Sequence, residues 1–286
     1  HSHLPKAYKS SFILDCMGLK HSFNRNMASL VMAGASAFSS SIKADTVGYW
    51  NFNEGQGNVA HDSSRFHNDG NLSWVLWSPD TPSGEGHSAE FREKWNPTIE
   101  VTHDSSLNLD DEFTFEAQIK MSEQWYQPII AKWSGGDPNG QHHPYLFGAR
   151  PTGNGQEIRS YIKIEGENEQ GIGREFWLFG NTPLESGNWY HLGASYDGEK
   201  LRVFVNGHLD GENLIEKIDI YDTPNMLTIG RSGFLGMSEP FVHGWLDDVK
   251  ISNHYYNVPC PSPLLLAGLG LAGLGFASRR RAENGK

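Results

Sequence analysis

Five aromatic side chains lie in stretches rich in proline, glycine and polar residues, where no regular element is expected. They are Trp77, Trp95, Trp125, Tyr126 and Trp133. Aromatic faces with Asn, Asp and His groups beside them suit stacking on sugar rings and hydrogen bonding to hydroxyl groups. We therefore predict that these residues bind a ligand, with carbohydrate as the preferred class. The alternative is that the rings fill the core, as we expect for Trp50, Trp189 and Trp245.

A catalytic pair of acids is harder to find. Retaining sugar hydrolases need two carboxyl groups close together on one face. Acids two residues apart on a strand would share a face, because side chains alternate along a strand. The nearest candidates, Glu216 and Asp219, are three residues apart and would point to opposite faces.

A lyase site would need basic and phenolic groups gathered for proton transfer. Arg159, Tyr161 and Lys163 alternate along one predicted strand, and His191 is available elsewhere. The same alternation is also typical of a solvent-facing strand. We predict a binding domain and not an enzyme. A structural or adhesive protein with a protein partner is one alternative, and a polysaccharide lyase or glycoside hydrolase is the other.

The elements that must position these residues are short strands. Strand-like runs recur between Val47 and Ile251, separated by turns rich in Gly, Pro and Asn, and no long amphipathic helix appears. Residues 189–207 show the pattern most clearly, with two alternating arms around Asp197-Gly198. Asn206-Gly207 then supplies a strong hairpin-turn signal. The chain is predicted to be all-β, a two-sheet antiparallel sandwich.

Several parts of the chain resemble the laminin G-like, concanavalin A-like jelly-roll family. The resemblance is carried by residues 49–55, 112–117, 189–207, 227–230 and 244–249, in family order. It implies one jelly-roll domain over residues 45–257. The fold hosts lectins, enzymes and adhesins alike, so the resemblance alone assigns no activity.

The same resemblance implies a structural calcium ion. Residues 61–70 resemble the family's Asp-x-Ser-Gly-x-x-x-Asp-Gly loop, which in relatives can hold calcium together with an acid on the last strand. The matching positions here are Asp62, Asp69 and Asp247. Calcium prefers oxygen ligands of this kind. The alternative is a turn closed by Asx hydrogen bonds with no ion.

The charge balance excludes two classes of partner. The formal net charge is −11, but residues 45–257 hold 14 basic and 32 acidic side chains, a net charge of −18. Such a surface repels nucleic acid and anionic lipid. The two cysteines, Cys16 and Cys260, lie outside the predicted domain, so the domain needs no internal disulfide.

The N-terminal residues resemble an export signal. We interpret residues 1–16 as upstream sequence or a cloning remnant, with Met17 as the natural start. Basic residues, the short apolar run 27–38 and small residues up to Ala44 then follow in the order of a secretory signal peptide. Residues 17–44 are therefore predicted to be removed on export.

The C-terminal residues 258–286 resemble the PEP-CTERM sorting tail of Gram-negative bacteria. Pro259-Cys260-Pro261 precedes the apolar run 264–276, and three arginines follow at 279–281. Such tails insert transiently in the inner membrane and are processed by an exosortase. The apolar run covers roughly 20 Å as a helix, which is short of a bilayer's hydrocarbon core. We expect a secreted protein of the cell envelope, surface or matrix.

Overall fold

Strands with alternating inward and outward side chains make up nearly all the regular structure. The computed structural model describes residues 46–92, 96–132, 142–152, 157–232 and 240–259, which fall within the compact unit Asp45–Pro259. The strands of these ranges are β1 (Thr46–Trp50), β2 (Val59–Ala60), β3 (Gly70–Ser73), β4 (Val75–Ser78), β5 (Ser88–Phe91), β6 (Thr98–Val101), β7 (Phe113–Met121), β8 (Gln127–Lys132), β9 (Tyr145–Thr152), β10 (Glu157–Glu167), β11 (Gly173–Phe179), β12 (Trp189–Tyr196), β13 (Lys200–Val205), β14 (His208–Leu214), β15 (Asp219–Ile220), β16 (Leu227–Ile229) and β17 (Gly244–Ser252). A short 3-10 helix, Ser105–Leu107, joins β6 to β7.

The strands form two antiparallel sheets. Sheet A has the order β14-β13-β12-β7-β17-β5-β4, with β1 also paired to β17. Sheet B has the order β11-β10-β9-β8-β16-β6-β3-β2, with β15 also paired to β10. Strands distant in sequence are neighbours in both sheets, as β7 and β17 are. The prediction of an all-β, two-sheet antiparallel jelly-roll sandwich is confirmed.

The core lies between the two sheets. On β7 every second residue from Phe113 to Met121 faces inward and is buried. The Phe115 ring lies 5.2 Å from Tyr145 and 5.8 Å from Phe147, both on sheet B. Trp50 is fully buried, and its indole Nε1 donates to the backbone oxygen of Asn68 at 2.9 Å. Burying one large apolar side chain stabilises a fold by about 1.5–3 kcal/mol, so this interior holds the sheets together.

Residues 253–259, which we call the C-terminal strap, lie across the outer face of sheet A. The backbone N–H of Tyr256 donates to Thr114 Oγ1 at 3.1 Å, and the Tyr256 hydroxyl donates to Glu116 at 2.6 Å. Val258 is buried over Gly193, where a Cβ atom would lie 2.6 Å from Val258. The strap therefore covers the part of this face formed by β7 and β12.

The structure agrees with the sequence-based expectation at the hairpin turn and differs from it at one short strand. The predicted turn at Asn206-Gly207 joins β13 to β14, and both residues have the positive φ that such a turn requires, 53° and 76°. No regular element was expected at Trp77, but Val75–Ser78 forms β4 and pairs with β5. Within the described ranges, no helix is both long and apolar enough to cross a membrane. Residues 1–44 and 260–286 lie outside those ranges.

Candidate functional site

A cleft of about 580 Å³ opens at one corner of sheet A. Strand alternation makes its floor: Trp245 of β17 stands opposite Glu90 of β5, which in turn stands opposite Leu76 of β4. Their inward neighbours, such as Ala89 and Leu246, are buried in the core. These three outward side chains therefore form a row across three strands.

The cleft is mainly apolar and aromatic. Trp74, between β3 and β4, has a φ of 60° that turns its backbone into the left-handed region, and its side chain is 64% exposed. Leu76 is 45% exposed. The Trp245 indole donates to Ser78 Oγ at 3.2 Å, and Lys120 Nζ lies 5.0 Å from the ring centroid. Two indole rings with different exposures thus line the same concavity.

Charged groups border these rings. Arg92 donates to both carboxylate oxygens of Glu90, at 2.9 and 2.8 Å. On the opposite side, His243 Nδ1 lies 3.7 Å from Glu123. Each pair offers donors and acceptors beside an apolar floor. This combination is suited to a ring that is apolar on its faces and hydroxylated at its edge.

Of the five predicted aromatic residues, the three that the structure describes do not line this cleft. Trp77 packs partly buried against the core, and its indole donates to the oxygen of Gly57 at 2.9 Å. Trp125 is 59% exposed in the connection between β7 and β8. Tyr126 lies on the outer face of sheet B, in contact with Tyr161. Trp95 and Trp133 are outside the described residues.

Two tryptophans expected in the core face outward. Trp245 and Trp189 alternate with the inward residues Leu246 and Tyr190, so both lie on the outer face of sheet A. The Trp189 indole donates to Asp80 Oδ1 at 3.1 Å. Alternation alone predicted the strands but could not say which face is inward. The signal that could have identified Trp245 is its two-residue spacing from Asp247, a residue that a core-facing strand side disfavours.

The loop that resembles a calcium site is closed by its own hydrogen bonds. Asp62 is buried and accepts from the backbone N–H groups of Tyr49, Ser64 and Asn68 and from the Ser64 hydroxyl, at 2.6–2.8 Å. Asp69 accepts from the backbone N–H of Asp62 at 2.8 Å. These contacts occupy the carboxylate of Asp62, so as placed it does not offer an ion an open ligand.

Asp247 lies on β17, the last strand in sequence, opposite Gln118 of β7. Burial raises its pKa to about 8, and the charge of Asp248 adds to the shift. Within the described ranges, no group of three or more His, Cys, Asp or Glu side chains lies close enough together to hold a metal ion. Calcium binding by Asp62, Asp69 and Asp247 stays a prediction.

A buried polar cluster lies on the same outer face as the cleft. Glu116 accepts from Lys250 at 2.9 Å and from Tyr256 at 2.6 Å, and its second oxygen lies 3.1 Å from His191 Nε2. Burial by itself raises the pKa of Glu116, but the hydrogen bond from His191 and the charge of Lys250 outweigh burial and hold the pKa at about 2. Because the carboxylate of Glu116 is paired with three neighbouring side chains, this network stabilises the fold.

The residues considered for catalysis do not meet. Arg159, Tyr161 and Lys163 share the outer face of β10 in sheet B, whereas His191 lies on the outer face of sheet A. The sandwich separates the two outer faces, so these residues cannot form one lyase site. Glu216 is engaged by Asn168 and Arg174.

Solved structures with the same fold include domains of larger proteins. Domain 4 of AbnA, an extracellular arabinanase from Geobacillus stearothermophilus solved with arabinotriose, has a TM-score of 0.51 and 14% identity over 79% of this chain and 98% of that domain. The receptor-binding domain of botulinum neurotoxin mosaic serotype C/D gives 0.51 and 14%, covering 76% and 49%. A Trypanosoma rangeli sialidase mutant that displays trans-sialidase activity also gives 0.51 and 14%, covering 76% and 32%.

At sequence identities this low, the structural similarity shows the fold alone. The chain spans about half of the toxin domain and about a third of the sialidase. No curated protein matches the chain. The Laminin_G_3 family model, described as concanavalin A-like lectin/glucanases superfamily, matches residues 94–258, which is more than half of the sequence. Those residues include all of β6 to β17, the strands that make most of both sheets. The chain is therefore a member of the Laminin_G_3 family.

Proposed function

We propose that the protein is a carbohydrate-binding domain that holds a glycan in the cleft of sheet A. The observation that carries the proposal is the pair of indoles, Trp74 and Trp245, in one cleft bordered by the Glu90–Arg92 pair. Aromatic faces beside polar groups are suited to sugar rings. The arabinotriose bound to the AbnA domain supports carbohydrate as the ligand class for this fold.

The experiment is a glycan array followed by calorimetry on the best ligand. Trp74→Ala removes the most exposed ring of the cleft without disturbing the core, and we expect an affinity loss of about tenfold or more. Trp125→Ala, measured in parallel, tests the residue that the sequence favoured. Leu214→Ser, an exposed residue of β14 on the far edge of sheet A, is the control. An unchanged affinity in Trp74→Ala would contradict the proposal.

Binding without cleavage is the form of the function that we favour. Arg159, Tyr161 and Lys163 lie on the opposite sheet from His191, Glu216 is engaged by Asn168 and Arg174, and the buried Glu116 is paired with Lys250, Tyr256 and His191. Incubation with neutral and acidic polysaccharides tests this part. Release of reducing ends would indicate a hydrolase, and release of unsaturated ends a lyase.

We also propose that the chain is exported and sorted to the envelope, surface or matrix of a Gram-negative bacterium. The order of residues in 17–44 and the Pro-Cys-Pro, apolar and arginine order in 258–286 support this proposal. An exosortase-type enzyme would then be a partner of the tail. Mass spectrometry of the exported protein tests the proposal, and a mature chain that still carries residues 17–44 or the peptide through Lys286 would contradict it.

Calcium binding at Asp62, Asp69 and Asp247 is a separate proposal, supported by the resemblance of residues 61–70. A ligand that binds only the folded state raises stability by mass action. If calcium binds, a chelator lowers the melting temperature and added calcium restores it. An unchanged melting temperature would leave the hydrogen bonds of Asp62 as the whole account of the loop.

A further inference from the structure

The outer face of sheet B carries an apolar cluster that is separate from the core. This ring cluster consists of Tyr126, Tyr161, Trp177 and Phe179. On β10 and β11 the inward side is already filled, by residues such as Ile162, Ile164 and Leu178. Around Tyr161, Trp177 and Phe179, the two strands therefore carry apolar side chains on both faces. An apolar patch on the side of a sheet that faces away from the core marks a surface used for binding.

The ring cluster has a buried centre and half-exposed walls. Tyr161 is fully buried, and its hydroxyl lies 2.8 Å from the hydroxyl of Tyr126. Trp177 and Phe179 follow each other at a two-residue spacing on β11, with ring planes 8° apart and centroids 6.4 Å apart. Both rings are partly exposed. They present two parallel apolar surfaces along one strand.

One guanidinium group lies within this cluster. The Arg150 Cζ atom is 5.1 Å from the centroid of Trp177, 5.3 Å from Tyr126 and 5.8 Å from Phe179. Contact with three rings holds the side chain in place through cation–π attraction. The guanidinium is thus fixed at the surface before any ligand arrives, which lowers the entropy lost when it forms new hydrogen bonds.

Arg150 has no acid to neutralise it among the described residues. Other arginines of these ranges do pair with acids: Arg92, Arg159, Arg174 and Arg202. The residue directly opposite Arg150 on β10 is another arginine, Arg159, which is paired with Glu157 at 2.7 Å. Like charges placed opposite each other on neighbouring strands are destabilising. An unpaired guanidinium next to a second cation is a site that an anion would complete.

We propose that the ring cluster and Arg150 form a second binding site, specific for a sugar ring that carries a carboxylate or sulfate group. The rings supply stacking surfaces, and the planar fork of Arg150 supplies two parallel donors to the anionic group. This site is on sheet B, and it is independent of the cleft on sheet A. It gives the domain a preference for acidic polysaccharide despite its net negative charge.

A sugar fits the site better than an acidic peptide does. Trp177 and Phe179 are stacked with centroids 6.4 Å apart, and Arg150 lies over both rings, so a sugar ring that packs on the exposed part of this stack has its anionic group at the guanidinium. A peptide would be expected to use the free edge of β11, the last strand of sheet B, by adding a strand to it. The ring cluster lies on the face of the sheet and not along that edge.

The test is calorimetric titration with four probes: oligogalacturonate, dextran sulfate, neutral dextran and poly-glutamate. We expect binding to one or both acidic saccharides and none to poly-glutamate. The first two probes separate carboxylate from sulfate. Arg150→Gln should weaken acidic-saccharide binding about tenfold or more, because a charged hydrogen-bond partner is lost. Arg150→Lys keeps the charge but not the fork, and it should lose part of the affinity.

The matched control is Arg174→Gln, which removes one positive charge from β11 outside the ring cluster. Equal weakening in Arg150→Gln and Arg174→Gln would mean that only net charge matters and would overturn the proposal. Binding of poly-glutamate as tight as that of the saccharides would point to a peptide instead. Melting temperatures of all variants show whether each is folded, and Arg150→Lys decides the matter if Arg150→Gln is not. Cleft binding is measured with the same proteins, so failure of one site is not mistaken for failure of the other.

Discussion

At the scale of single residues, what distinguishes the two outer faces is how completely their charges are paired. Glu116 on sheet A has three partners, whereas Arg150 on sheet B contacts rings and pairs with no acid in the part of the chain that the structure describes. Residue types in the sequence do not reveal this difference. Glu116 lies in the predicted strand 113–121, but its partners come from β12, β17 and the C-terminal strap, which only the fold brings together. The sequence therefore predicts aromatic residues suited to sugar binding, but not the pair Trp74 and Trp245 that shares the cleft.

Glu116 should make the domain sensitive to acid. Its pKa of about 2 in the folded protein lies below the usual 4.5, so its stabilisation is complete above pH 4.5 and is lost as the pH falls towards 2. A difference of this size corresponds to about 3 kcal/mol. Glu116→Gln should lower the free energy of unfolding by a similar amount at pH 7 and flatten its dependence on pH below 4.5.

Urea unfolding at pH 7 and pH 3 measures both effects. Glu112→Gln is the control, since Glu112 is half-exposed, pairs with His254 at 3.2 Å and accepts only a long 3.5 Å hydrogen bond from the backbone N–H of Tyr255. If Glu112→Gln and Glu116→Gln lose the same stability, the buried cluster has no special role.

At the scale of elements, alternation predicted the long strands well. β1, β7, β12, β13 and β17 carry the clearest period-2 pattern, and each is present. β14 was missed because it is a polar edge strand, His208–Leu214, with no apolar alternation. β4 was missed because tryptophans near a proline were interpreted as loop residues. A period-2 pattern also does not state which face is inward, and this is why Trp245 was expected in the core.

The C-terminal strap should depend on the small size of Gly193. A side chain at this position meets Val258, with a Cβ atom only 2.6 Å away. Gly193→Val should therefore displace the strap and increase proteolysis near residues 253–259, while β7 and β12 stay paired. Val258→Ala in the same protein makes room and should restore part of the protection. Equal cleavage of Gly193→Val and wild type would show that the strap is not held by this contact.

At the scale of the whole molecule, the strap belongs to the domain even though the predicted tail begins at residue 258. Tyr256 and Val258 contact Thr114, Glu116 and Gly193 on two strands of sheet A. A protein of residues 45–259 should unfold in one cooperative transition. Shortening it to residues 45–252 removes the strap, exposes Glu116 and should lower the melting temperature by several degrees.

Differential scanning calorimetry of the two proteins gives the answer. The prediction fails if residues 45–252 melt at the same temperature as residues 45–259.

The two aromatic surfaces lie on opposite sheets, so either protein presents two separate faces to a polysaccharide. Two linked glycan sites would raise overall avidity for a polysaccharide.

The measurement that tests the central claim most directly is a crystal structure of residues 45–259 with the best oligosaccharide from the glycan array. We predict that a sugar ring stacks on Trp74 or Trp245 and that its hydroxyl groups reach Glu90 and Arg92. An oligosaccharide bound elsewhere, with the cleft of sheet A holding only solvent, would contradict the assignment of that cleft as the carbohydrate-binding site.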